Sequence, residues 1–152
     1  MTKRSVTHAT FTIERNYPVP PAKVFAAFKD PNIKRRWFVG GEGFSNQSYE
    51  LDFRVGGWER TRGTGPGNML FTNDTMFFDI VPNERIVFSY QMTVNAKPIS
   101  VSLTTIELRP AGAGTLIVFT EQGAFLEGFD DGSGRKEGTN VLLENLGKVL
   151  AS

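Results

Sequence analysis

Two polar side chains stand where an alternating strand pattern otherwise places apolar ones. Tyr90 continues the series Ile86, Phe88, and Glu121 continues Ile117, Phe119. Residues two apart share one face of a strand, so both polar groups point with the apolar set. A carboxylate that faces an apolar interior holds its proton more tightly, which is how a general acid is made. A phenol beside it could orient a carbonyl or hydroxyl group of a ligand. Tyr90 and Glu121 are therefore the catalytic candidates, with no catalytic role assigned to either. The simpler reading leaves Glu121 at a strand end, in water or paired with an arginine such as Arg60 or Arg62, because glutamate is rarely fully buried unless paired.

Other reactive types are sparse. His8 is the only histidine and has no acidic or cysteine companion at ligand spacing, so neither a Ser-His-Asp triad nor a metal site is expected. The absence of cysteine excludes disulfides, thiolate-bound zinc and thiol catalysis, and is compatible with a reducing cytoplasm. Asp130-Asp131-Gly-Ser-Gly lacks the positions of a calcium loop and reads as a hinge or lid before a helix. Gly63-Thr-Gly-Pro-Gly-Asn68 has no Gly-Lys-Ser/Thr and reads as a turn, not a phosphate loop. Lys34-Arg35-Arg36 reads first as a solvated helix face and second as contact with an acidic partner or ligand headgroup. No metal and no cofactor is expected.

The elements that must position these residues follow from periodicity. Leu142, Leu143, Leu146, Val149 and Leu150 lie on one face of a helix from about Arg135 to Ala151. A helix of this length is marginal alone and needs a partner surface. Thr7 to Arg15 alternates as a half-buried strand. Pro18, Pro20 and Pro21 end it, and Ala22 to Phe28 forms a short helix. Asp30-Pro31 breaks that helix, and Asp30 can cap a second turn over Asn32 to Trp37. A meander follows: Tyr49 to Arg54, Trp58 to Arg62, Leu70 to Val81, Ile86 to Thr93, Ile99 to Leu108 and Thr115 to Glu121. A bulge is expected at Thr104-Thr105, where the apolar phase slips. A glycine-rich loop is expected from Gly123 to Gly134. The fold class is α+β: a curved antiparallel sheet of six to seven strands packed on a long C-terminal helix, with two short helices after the first strand.

The chain has 152 residues, which fits one domain able to bury roughly two-thirds of its unfolded surface. Its formal net charge of +1 gives no dominant field for nucleic acid or an acidic membrane. No run has the length of a membrane span or a signal peptide, and the cytoplasm is the expected compartment. Thirteen Phe, two Trp and three Tyr make the interior aromatic, to fill space or to line a pocket.

Several segments together resemble a known family. They are Pro20-Pro-Ala-Lys-Val-Phe25, Asp30-Pro-Asn-Ile-Lys-Arg-Arg-Trp-Phe38, Arg54-Val-Gly-Gly-Trp58, Val81-Pro-Asn-Glu-Arg-Ile-Val-Phe88, Gly114-Thr-Leu-Ile-Val-Phe-Thr-Glu121 and Lys136-Glu-Gly138. In this order, from roughly Phe11 to Leu150, the chain resembles the START-like superfamily, also called SRPBCC or helix-grip. Within it, the chain is similar to the branch related to the activator of heat-shock protein 90 ATPase. The resemblance implies a cavity between sheet and helix. It also implies a structural role for Trp37, and a wider helix side where Thr139 stands in place of the family's usual Trp. From the strand phases the expected ligand-binding residues are Phe53, Met76, Phe78, Phe88, Tyr90, Val101, Leu103, Phe119 and Glu121, closed by Leu142 and Leu146. The leading expectation is a binding protein for an apolar or aromatic small molecule. The alternatives are a polyketide-cyclase-like enzyme using Tyr90 or Glu121, and a co-chaperone-like interaction module, as monomer or homodimer, with a chaperone or other protein partner.

Overall fold

The computed structural model describes residues 4–41 and 43–152. The first strand, β1 (Val6–Tyr17), turns its Phe11, Ile13 and Tyr17 side chains inward. Pro20 and Pro21 then open helix α1 (Pro21–Lys29), which buries Val24, Phe25, Ala27 and Phe28. Asp30 ends α1 in an extended conformation, as a residue before proline must. The same residue caps α2 (Pro31–Phe38), its Oδ1 accepting the Asn32 amide at 2.9 Å. One Asp-Pro pair thus makes the kink that lays both short helices over the same sheet.

The remaining strands are β2 (Ser45–Leu51), β3 (Trp58–Thr64), β4 (Leu70–Val81), β5 (Arg85–Val94), β6 (Lys97–Ala111) and β7 (Gly114–Leu126). A short 3-10 turn at Pro66–Asn68 joins β3 to β4. Among the described residues, seven strands pair antiparallel in one open sheet, in the order β1-β7-β6-β5-β4-β3-β2. The curved sheet holds the last helix, α3 (Ser133–Ala151), against its concave face.

Along α3 the buried residues are Thr139, Leu143, Leu146 and Leu150, at i, i+4, i+7 and i+11. Leu142 and Val149 flank this stripe, half-buried. The second half of the helix packs into a dry core with Phe28, Trp37, Ile106 and Ile117. One polar contact fixes its depth: Tyr17 Oη donates to the Leu143 carbonyl at 2.7 Å. Gly147, one turn further on, leaves that carbonyl open, since a Cβ there would stand 3.2 Å from the Tyr17 ring. Burial pushes the Tyr17 phenol up to about 12, so it remains a donor.

Three expectations are corrected. The register of β6 against β7 runs unbroken from Ser100 to Ala111, so Thr104-Thr105 holds no bulge. The irregularity lies at Ile99, where β6 slips against Met92 and Thr93. Gly123 belongs to β7, paired with Ser102 and Ala9, and is glycine because a Cβ there would meet the Phe125 ring at 2.8 Å. The segment Asp130-Asp131 is a cap where a hinge was expected: Asp130 carboxylate oxygens accept the Gly134 and Arg135 amides at 3.2 and 2.9 Å.

A charge introduced at Leu146, in the middle of the buried stripe, has no partner to offset its desolvation. Leu146→Asp is expected to abolish cooperative unfolding, because the cost approaches the whole stability of about 5–15 kcal/mol. A soluble Leu146→Asp variant with a normal melting transition would overturn this placement of α3.

Candidate functional site

The register lines up inward residues of successive strands into rows. Glu59, Thr75, Tyr90, Ser102 and Gly123 face one another across β3, β4, β5, β6 and β7. The row beside it contains Tyr49, Thr61, Asn73, Met92, Ser100 and Phe125. On the other side of the first row, Phe77 and Phe88 are in register with Thr104 and Glu121, and beyond this mixed row the floor turns apolar with Ile86, Ile106 and Phe119. Polar rows thus lie under the first half of α3, and apolar rows under the second.

Over the polar rows is a cavity of about 890 Å³. Its walls come from Trp37 and Phe38 of α2, Phe71, Phe88, Met92 and Phe119 of the sheet, and Leu142 and Leu143 of α3. Gly134, Gly138 and Thr139 of α3 also line it. Their small side chains leave the helix standing off the polar floor.

At one end lies Glu121, only 1% exposed. Tyr90 Oη donates to its Oε2 at 2.7 Å, and Thr104 Oγ1 donates to Oε1 at 3.4 Å. Arg135, in the first turn of α3, donates from Nη1 to Tyr90 Oη at 2.9 Å and from Nη2 to Ser100 Oγ at 2.7 Å. Its direct approach to Glu121 is 3.5 Å, long for a charge-assisted hydrogen bond, so the phenol carries most of the contact. The guanidinium also sits 5.2 Å from the Phe125 ring centroid and 5.4 Å from that of Tyr90. Burial, and then the Glu121 charge, push the Tyr90 phenol well above its ordinary range, with Arg135 opposing. It therefore stays protonated at neutral pH.

At the other end, Lys34 Nζ donates to Glu59 Oε2 at 2.9 Å, with both side chains almost fully buried. Tyr49 Oη donates to the same oxygen. Desolvation, reinforced by Glu59, holds the Tyr49 phenol far above its usual range. The ammonium lies 4.3 Å from the Phe38 ring centroid, 5.3 Å from Trp37 and 5.5 Å from Phe28, within cation–π reach. Trp37 is fixed by its Nε1 donating to the Ala27 carbonyl at 3.0 Å. Each end of the cavity therefore pairs one cation with one buried anion, and is neutral as a unit.

Of the expected ligand-binding residues, Phe88, Tyr90, Phe119, Glu121 and Leu142 line the cavity. Phe53 does not: β2 ends at Leu51, and the Phe53 ring packs edge-on against Phe25 and Phe77 in the core. Leu146 is likewise packed solid in the core. Met76, Phe78, Val101 and Leu103 lie on the outer face, exposed. The inward places on those strands are taken by Thr75 and Phe77, and by Ser100, Ser102 and Thr104. Apolar character misled the phase because Ser100 and Thr104 serve the buried ions. Glu121 is neither solvated nor paired with Arg60, whose guanidinium stacks on Trp58, nor with Arg62, which pairs with Asp74.

Arg135, Glu59 and Thr61 were missed, and Lys34, read first as part of a solvated helix face, is buried and lines the cavity. Arg135 was detectable: extending the stripe Leu143, Thr139 one turn back lands on it. Lys34 shares its face with Trp37, three residues on. Among the described residues, no group of three or more His, Cys, Asp or Glu side chains converges to hold a metal, and His8 is exposed on β1. Nor is any helix among them long and apolar enough to cross a membrane.

A curved antiparallel sheet gripping a C-terminal helix over a partly hollow interior is the SRPBCC or START-like architecture. Residues 18–151 match the model of the activator of Hsp90 ATPase homolog 1-like proteins, and the chain belongs to that family. An uncharacterised protein from Rhizobium leguminosarum is 42% identical and superposes with a TM-score of 0.94, covering 99% of each chain. Mll3558 from Rhizobium loti is 51% identical, with a TM-score of 0.88 over 95% of this chain and 99% of that one. CalU16 from Micromonospora echinospora, at 22% identity and a TM-score of 0.65 over 99% and 86%, shares the fold. Comparison with curated proteins finds no match.

Glu121→Gln keeps the shape but leaves Arg135 without its counter-charge, and is expected to cost about 1–3 kcal/mol in urea unfolding. A double-mutant cycle with Arg135→Met should give a coupling of at least about 1 kcal/mol, and strictly additive losses would separate the two groups. Tyr49 and Tyr90 hold protons that the unfolded chain releases near pH 10.0. The stability from this source is complete below about pH 10 and falls as pH rises beyond it, by about 1.4 kcal/mol per unit for each retained proton. Tyr90→Phe should lower that alkaline slope by about one proton's worth; an unchanged slope would mean that the phenol titrates normally.

Proposed function

We propose that the protein binds a neutral, largely apolar small molecule in the cavity between the sheet and the first half of α3. The observation that carries this reading is the cavity of about 890 Å³ with aromatic and aliphatic walls and internally neutralised ions. That volume lies within the range of about 300–1,000 Å³ usual for small-molecule sites. Burial of the ligand's apolar surface, at roughly 25 cal/mol per Å² before ordering costs, would drive association.

A second reading, proton-transfer catalysis of cyclase type, draws support from the Tyr90–Glu121–Arg135 unit. A protonated phenol tied to a carboxylate and a guanidinium can polarise a ligand carbonyl. Its proton, however, is already directed at Glu121 Oε2, so binding comes first. The interaction-module reading rests on the outer sheet face, where Met76, Phe78, Val101 and Leu103 are exposed.

Native mass spectrometry of freshly purified protein should reveal a retained small molecule that is lost on denaturation. Thr139→Trp, which fills the helix side of the cavity, should abolish retention and leave the melting transition intact. A clean apo mass, with no thermal shift from a panel of apolar and aromatic compounds, would reject the binding reading.

A further inference from the structure

Resting on that cavity reading, we infer that the ligand is held at two poles, so that it is a neutral molecule carrying an oxygen function at each end of an apolar body. Glu59, Thr75 and Tyr90 occupy one row on successive strands. With strands about 4.8 Å apart, the Glu59 and Tyr90 positions stand roughly 10 Å from each other. Between them the row offers the Thr75 hydroxyl, which donates to Asn73 Oδ1 at 3.3 Å, and Asn73 faces the cavity from the row beside it.

The Lys34 end has donor capacity left over. An ammonium has three N–H groups. Among the described residues, one oxygen, Glu59 Oε2, accepts from it, and aromatic rings face its other sides. Thr61 lies two residues beyond Glu59 on the same inner face and lines the cavity. Among the described residues its buried hydroxyl has no hydrogen-bond partner, which a native interior seldom tolerates. One ligand oxygen placed there would accept from Lys34 and engage Thr61 together. At the opposite pole, the Arg135 guanidinium, with N–H groups beyond those given to Tyr90 and Ser100, can donate to a second oxygen, and the Glu121 carboxylate can accept from that oxygen where it is a hydroxyl.

Charge selects among the oxygen functions. Lys34 is already offset by Glu59, and Arg135 by Glu121. A carboxylate or phosphate would add an uncompensated buried charge. A hydroxyl, carbonyl or ether adds none.

The test uses three rigid rods: biphenyl, 4-hydroxybiphenyl and 4,4′-dihydroxybiphenyl, titrated calorimetrically into the full chain. Each hydroxyl that reaches a pole should tighten binding about tenfold. In Lys34→Met/Glu59→Gln, which removes the ion pair but keeps an acceptor for Tyr49, the second step should vanish while the first, made at the Arg135 pole, remains. Thr61→Val, which changes no charge, should shrink the same step and serves if the double variant does not fold. Rods that bind alike whatever their hydroxyls, or variants that keep the second step, would overturn the two-pole inference and leave the cavity reading standing. Failure of every rod to bind would bring down both.

Discussion

Glu121 imposes the constraint on which the rest of this structure depends. A carboxylate buried under a helix must be offset where it stands, because taking an unpaired charge out of water costs more than a fold of this size can absorb. Its partner, Arg135, comes from the helix, and the phenol of Tyr90 bridges the two. The helix is therefore tied to the sheet near its first turn by a polar contact and along its second half by leucines. Asp130 extends the tie outward, since its carboxylate caps the amides that set Arg135 in place. A change in the capping turn would thus be felt at the buried carboxylate.

The same constraint accounts for the cavity. An apolar stripe cannot close over serine, threonine and charged side chains without stranding their polar atoms. Gly134, Gly138 and Thr139 stand where bulky residues would otherwise seal the gap, whereas Leu143, Leu146 and Leu150 close down on the apolar rows. One helix thus has a dry half held by leucine packing and a hollow half held by the Arg135–Tyr90–Glu121 contact. The second ion pair, Lys34–Glu59, repeats the logic at the other end, joining α2 to β3 beneath a cluster of aromatic rings.

The architecture was legible because its signals are local and redundant. Proline punctuation, the Asp30-Pro31 kink, the alternating strands and the leucine stripe all agree with one arrangement, and they are what the structure contains. The cavity floor was only half legible. Tyr90, Phe88, Phe119 and Glu121 sit in strands whose inward residues are mostly apolar, so phase and chemistry coincide. On β6 they conflict: Val101 and Leu103 face out, and Ser100, Ser102 and Thr104 face in. Alternation fixes that two sets of residues face opposite ways; which set faces the core depends on what it meets there. On β6 that is Arg135, 24 residues beyond the end of the strand and invisible to a strand-by-strand reading.

Lys34 shows the same limit in another form. In a run of three basic residues, helical geometry must send some inward if the run is longer than the exposed arc of the helix. Lys34 is the one that shares the face of Trp37, so its stem follows the indole into the interior and its ammonium needs an anion. Glu59 supplies it because β3 alternates Glu59 and Thr61 inward against Trp58 and Arg60 outward. Helix docking and the lining of the cavity are consequently carried largely by different rows of the same sheet. The apolar rows must stay as they are for α3 to dock, whereas residues such as Thr61, Asn73 and Met92 face the cavity and can change without unseating the helix. A sheet so divided can hold one shape while the side chains that line its cavity vary.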